Sequence, residues 1–156
     1  MRASCLLPLA VAALGYAIVS LVGGLLTDIG PWYRSLVKPS WQPPDWLFGP
    51  AWTTIFILAA VSAALAWRAA GQGERRIVVI LFVANGILNV LWSLLFFHLQ
   101  RPLLAGIEVV LLWASIVALI WYLQRFSRPA ALLLVPYLLW VSFATVLNWT
   151  IVLLNP

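Results

Sequence analysis

Five long runs of apolar residues, each stopped by charge, glycine or proline, set the pattern of this chain. They cover residues 4–26, 44–69, 77–99, 103–123 and 129–154. The stops between them read Thr27-Asp28, Gly71-Gln72-Gly73-Glu74-Arg75-Arg76, Gln100-Arg101-Pro102 and Gln124-Arg125. About 20 apolar residues in a helix cross a hydrocarbon layer of about 30 Å. The pattern therefore predicts an all-α integral membrane protein, a five-transmembrane-helix bundle forming one domain over residues 1–156. The stretch Leu6–Leu26 carries no charge over 21 residues. The apolar core of a cleaved signal is about 7–15 residues, so this run reads as a retained first helix. No tandem repeat or low-complexity segment interrupts the pattern, and only one connection is long, the loop 27–43.

Composition strengthens that reading. Apolar residues make up 65% of the 156 and charged residues 8%, with a mean hydropathy of +1.06. A soluble domain carries about 25% charged residues, so this chain must face lipid. The net charge of +5 does not point to nucleic acid, because the basic residues form no stripe and Arg75–Arg76 is the only adjacent pair. They set topology instead. Arg2, Arg68, Arg75, Arg76, Arg125 and Arg128 fall on one side, and Arg34, Lys38 and Arg101 on the other. The positive-inside rule then places the N-terminus in the cytoplasm and the C-terminus outside. Which membrane holds it is left open. The single cysteine, Cys5, has no internal disulfide partner.

Residues 31–52 read PWYRSLVKPSWQPPDWLFGPAW, with four prolines before Gly49 and tryptophan at 32, 41, 46 and 52. Proline fixes φ and lowers the entropy of the open loop, so a semi-rigid segment is expected. Trp67, Trp121 and Tyr122, near helix ends, suit an interfacial aromatic belt. Buried polar groups in a span need a reason. Asn85, Asn89, Trp92 and Phe96 share one helical face; Glu108, Leu112 and Ser115 share another; Tyr137, Trp140, Ala144 and Asn148 form a third. Trp52 and Phe56 add aromatics at the start of the second span. Hydrogen bonding between helices is the simplest use of such asparagines and serines. In the assigned topology, however, Trp52, Asn89, Trp92, Glu108 and Asn148 fall in the outer half of the membrane with Trp140 near mid-depth. All are expected beneath the Pro/Trp-rich loop, as in a small-molecule site. Small residues at Ala13, Ala17, Ser20 and Gly24, and at Ala59, Ala60, Ala63 and Ala64, are expected to pack within the bundle.

The segments WYRSLVKPSWQPPDWLFGPAWT (Trp32–Thr53), Asn85/Asn89 with Trp92 and Phe96-Phe97, and PYLLWVSFATVLNW (Pro136–Trp149) resemble the TspO/MBR family. That family comprises the tryptophan-rich sensory proteins of bacteria and the mitochondrial translocator protein. The resemblance covers nearly the whole chain and implies five transmembrane helices, a homodimer, and a pocket under the first loop. It implies binding of porphyrins such as protoporphyrin IX, and of isoquinoline and benzodiazepine drugs, with porphyrin as ligand rather than resident cofactor. By position the pocket would include Tyr33, Pro43, Trp52, Phe56, Asn89, Trp92, Ser93, Trp140 and Ala144. Some bacterial members are reported to promote light- and oxygen-dependent porphyrin breakdown, which would make Trp52 and Trp140 the candidate catalytic residues. Two departures matter. Phe56 stands where many members have tyrosine, and the sterol-associated element ends here in ATVLNWTIVLLNP without its tyrosine and basic residue. The only histidine, His98, lies at a helix end, so neither a haem ligand nor a metal site is expected.

Three functions compete. A porphyrin-binding protein would stack the macrocycle on aromatic faces, with Asn89, Arg34 or Lys38 meeting its propionates. An enzyme-like photo-oxidation would use Trp52 and Trp140, although no metal cluster, nucleophile–base pair or cofactor motif accompanies them. An ion-coupled transporter would titrate Glu108, which has no basic partner in the pattern.

Overall fold

The computed structural model describes residues 3–156. Arg2, counted above for orientation, lies outside them. Seven helices follow in chain order: α1 (Ala3–Leu26), α2 (Pro31–Ser35), α3 (Phe48–Ala69), α4 (Gln72–Ser93), α5 (Pro102–Leu123), α6 (Arg128–Leu133) and α7 (Val135–Leu154). Five segments are long and apolar enough to cross a membrane: α1, α3, α4, α5 and the α6–α7 pair. The predicted bundle of five spans is what the chain forms.

Three boundaries differ from the sequence pattern, each for a physical reason. The third span begins at Gln72 rather than 77. Glu74, which read as part of a charged stop, accepts the Gly71 N–H through its Oε2 at 2.7 Å and starts the helix. The fifth span is two helices, broken at Leu134. Pro136 has no N–H for the carbonyl of residue 132, and its ring crowds that carbonyl. The loop 27–43 is not all irregular, because Pro31 at the first helical position nucleates α2. A 3-10 turn, Asp45–Leu47, then leads into α3.

The spans close into a ring in the order α1, α3, α6–α7, α5, α4 and back to α1. The buried core runs through Ala59 and Ala66 of α3, Leu112, Ile116, Leu119 and Leu123 of α5, and Tyr137 and Val141 of α7. Alanines on α3 let α1 approach closely, as expected of Ala59, Ala60 and Ala64. The stripe on α1 does otherwise. Ala13, Ala17, Ser20 and Gly24 are exposed, and α1 is held through Tyr16, Ala12 and Val19 instead. Tyr16 is the buried aromatic of that helix and its face turns into the core, while Ser20 and Gly24 at the outer end of the stripe border the cavity described below. One buried polar tie crosses from α3 to α6, where Ser62 Oγ donates to the Ala130 carbonyl at 2.7 Å.

At the end opposite the loop, Arg125 stacks on Trp121 at 3.8 Å and Arg75 lies 5.0 Å from the Trp67 ring. Arginine over an indole at a helix end fits the interfacial belt expected of these aromatics.

Candidate functional site

The loop between α1 and α3 folds down as a lid. Asp28 Oδ1 accepts the Gly30 N–H at 2.8 Å, which turns the chain into α2. Tyr33 then points inward and donates its hydroxyl to Asp45 Oδ1 at 2.9 Å, while Gln42 Nε2 donates to the Tyr33 oxygen at 3.2 Å. Burial, reinforced by the Asp45 bond, pushes the Tyr33 hydroxyl up to about 12. Lys38 sits 3.9 Å above the Tyr33 ring. Aromatic contacts fasten the lid to the bundle: Trp32 to Phe96, Tyr33 to Phe97 and Trp41 to Phe143. Asn155, beyond α7, clasps it from the other side. Its Oδ1 accepts the Val37 N–H and its Nδ2 donates to the Val37 carbonyl, both at 2.9 Å.

Under this lid lies a cavity of about 410 Å³, within the usual range of small-molecule sites. Its walls are mostly aromatic. Trp52 meets Trp140 edge-on with centroids 6.4 Å apart, and Trp140 packs on Phe48 and Phe143. Opposite, Trp92 stacks on Phe96 at 5.3 Å. A π-helical turn, Leu94–His98, ends α4 here, with the Leu99 N–H reaching the Leu94 carbonyl at 2.8 Å. The wider turn brings the neighbouring rings of Phe96 and Phe97 to the same cavity.

Of the residues expected in the pocket, Tyr33, Trp52, Phe56, Asn89, Trp92, Ser93, Trp140 and Ala144 line it. Pro43 does not; its ring cannot hydrogen-bond, and its neighbours Gln42 and Asp45 form that part of the wall. Glu108 also falls outside the lining. Its side chain is buried, and neither carboxyl oxygen has a hydrogen-bond partner among the described residues. Arg34 and Lys38 stay off the wall as well, Lys38 being engaged on Tyr33. Phe97, Gln42, Asp45 and the α1 residues Val19 and Gly23 were not anticipated. The pairing of Phe96 with Phe97 needs the π turn, which an ideal helical wheel does not contain.

The polar residues of the spans divide into two groups. Asn148 accepts from Trp92 Nε1 at 3.1 Å and donates to the Pro102 carbonyl at 2.9 Å, holding α4, α5 and α7 together beside the cavity. Deeper, Asn85 is fully buried and linked to Tyr16, Ser115 and Tyr137, and Tyr137 is linked in turn to Asn89 at the cavity floor. Besides the two Glu108 oxygens, two buried polar atoms remain unpaired among the described residues, Gln42 Oε1 and Trp140 Nε1, both on residues that line the cavity. The cavity surface can stack on a flat apolar molecule and meet polar atoms through side chains such as Asn89. His98 is exposed on the π turn.

Comparison with known proteins agrees with this architecture. The model of the TspO/MBR family matches residues 7–154. The tryptophan-rich protein TspO of Chlorobaculum tepidum is 48% identical over 129 residues, covering 80% of each chain. Its counterpart in Archaeoglobus fulgidus is 40% identical over 149 residues, covering 94% of this chain and 93% of the relative. The translocator protein of Ovis aries is 35% identical over 149 residues, 89% and 87% of the two chains.

Proposed function

The chain belongs to the TspO/MBR family of integral membrane proteins, and from that premise we propose that it is a receptor for porphyrin-like tetrapyrroles and other hydrophobic aromatic ligands. The observation that carries this reading is the lidded cavity with Trp52, Trp92 and Trp140 in one wall system. Flat aromatic ligands gain dispersion and offset or edge-to-face contacts from such rings. Water-excluding walls favour their transfer from lipid or solvent. On this reading porphyrin is the ligand, no resident cofactor is required, and binding serves tetrapyrrole sensing, transport or a stress response. The expected assembly is a homodimer in a bacterial membrane with the N-terminus cytoplasmic.

The test is a titration of the purified protein with protoporphyrin IX, followed by tryptophan fluorescence. Saturable quenching is expected, weakened in Trp140→Phe. No quenching at micromolar ligand would sink the proposal.

One observation favours a second reading. Trp52 and Trp140 touch each other in the cavity wall, which suits them as electron donors to a photoexcited porphyrin with dioxygen as oxidant. Absorbance under illumination in air tests it. Bleaching equally fast in the Trp52→Phe/Trp140→Phe double variant removes these residues from the chemistry.

A further inference from the structure

Five polar side chains on four helices, all buried except the half-buried Ser115, form one hydrogen-bonded chain, and its direction is fixed at one end. Ser115 Oγ donates to the Leu112 carbonyl at 2.7 Å. A backbone carbonyl only accepts, so the single Ser115 proton is committed there. Ser115 must therefore accept from its other neighbour, which is Asn85 Nδ2 at 2.9 Å. That orients the Asn85 amide, with Oδ1 turned to the two phenols Tyr16 and Tyr137, which donate to it at 3.4 and 3.2 Å. With its proton given to Asn85, Tyr137 can only accept from Asn89. Asn89 Nδ2 does donate to it, at 3.0 Å. Each step follows from the one before, and reversing any of them leaves two acceptors or two donors face to face in a buried site.

The last member is the one that matters for ligand. Asn89 lines the cavity. Its nitrogen is tied to Tyr137, and among the described residues nothing donates to its Oδ1. That oxygen is also not among the sealed, unpaired polar atoms, so it keeps open surface, and the cavity is where Asn89 has it.

We propose that Asn89 presents its Oδ1 to the cavity as a hydrogen-bond acceptor, held in that orientation by Tyr137, Asn85 and Ser115, and that the cavity selects ligands bringing an N–H or O–H donor to this floor. The proposal rests on the reading of the cavity as a site for flat aromatic ligands and specifies the polar atom such a ligand must carry. Asn89 is the residue that determines specificity. Ser115, Asn85 and Tyr137 position it.

A matched pair of planar lactams tests this, phenanthridinone with its N–H and N-methylphenanthridinone without it. Each competes with protoporphyrin IX on the intact protein, read by recovery of tryptophan fluorescence. The N–H form should compete about three- to tenfold more tightly, the worth of one buried hydrogen bond. Asn89→Leu should bring the ratio to about one. So should Ser115→Ala, which leaves the cavity lining unchanged but frees the Asn85 amide to turn; Ser115→Thr should restore the preference. A structural role alone would change both affinities together and leave the ratio intact. A ratio near one in the unaltered protein, a ratio unmoved by Asn89→Leu or Ser115→Ala, or failure of both lactams to displace a porphyrin that does bind overturns the proposal. Absence of porphyrin quenching altogether would instead strike at the ligand-site reading on which it rests.

Discussion

Replacing Asn155 with alanine removes the clasp between the end of α7 and the lid without touching the cavity. Three hydrogen bonds go: Val37 N–H to Oδ1, Nδ2 to the Val37 carbonyl, and Nδ2 to the Ile151 carbonyl. Only the first two reach the lid. An intramolecular hydrogen bond contributes about 0.5–1.5 kcal/mol net. Val37 is 55% exposed, so water replaces its lost partners readily and the lower end of that range applies. Two such bonds come to about 1 kcal/mol of lid anchoring, or roughly a fivefold change in the opening equilibrium. Hydrogen exchange reads that equilibrium directly where opening is local. A peptide covering residues 33–41 should exchange about fivefold faster in Asn155→Ala, while α5 peptides remain unchanged. Asn155→Asp keeps an acceptor for the Val37 N–H but loses both donated bonds, and should fall between. If exit from the cavity passes the lid, bound porphyrin should also leave two- to fivefold faster. Unchanged protection in 33–41 would refute the clasp; an equal gain in α5 would show a global loss of stability instead.

Other outcomes follow from single contacts. Ser62→Ala orphans the buried Ala130 carbonyl and should lower stability in detergent by about 0.6–2 kcal/mol, seen as a lower thermal midpoint. Gly106→Leu should cost more, about 1–3 kcal/mol, because even a Cβ there would lie 3.1 Å from Asn148 Nδ2 and 3.2 Å from the Trp149 ring; a thermal midpoint equal to that of the unaltered protein contradicts this packing. Gln100 holds φ at 54° in the corner before α5, so Gln100→Gly should raise the midpoint, by about 0.5–1 kcal/mol in stability. Tyr33 keeps its proton to about 12 in the closed lid, against about 10 when free. The closed lid thus binds that proton more tightly than the open one, so the Tyr33 contribution to closure is fully present below pH 10 and is lost as pH rises from 10 to 12. Tyr33→Phe should abolish that alkaline loosening, measured by exchange or by quenching of bound ligand.

The spans were legible because lipid leaves so little choice. A helix of about 20 residues without charge has few other stable homes, and every one of the five runs became a span. Their ends were less legible because a residue that stops one pattern can start another. Glu74 looked like the edge of a polar loop and is the cap that begins α4. The stripe Ala13-Ala17-Ser20-Gly24 matched a packing motif, but motif and core compete for the same helix, and Tyr16 has far more surface to bury. The π turn is a further case. It depends on where α4 must hand over to α5, a tertiary demand that the local sequence LLFFH does not display.

Within the site, sequence showed which residues break the apolar pattern but not what each does with its hydrogen bonds. Asn85 and Asn89 differ by one turn and look alike on a helical wheel, yet one is sealed and the other faces the cavity. What separates them is a count of valences. Asn85 uses its oxygen twice and its nitrogen once on protein partners, so it is scaffold. Asn89, Gln42 and Trp140 each keep a polar atom that the protein does not use, and all three border the cavity. Surplus hydrogen-bonding capacity in an apolar setting costs free energy unless something recovers it, and at Asn89 Oδ1, the one of the three with open surface, a ligand can do so. Glu108 shows the limit of the criterion. Its carboxyl is unpaired too, yet it lies off the cavity lining. An unused polar atom therefore marks contact with ligand only when it also keeps surface open to the space a ligand would fill, and that second condition comes from the fold.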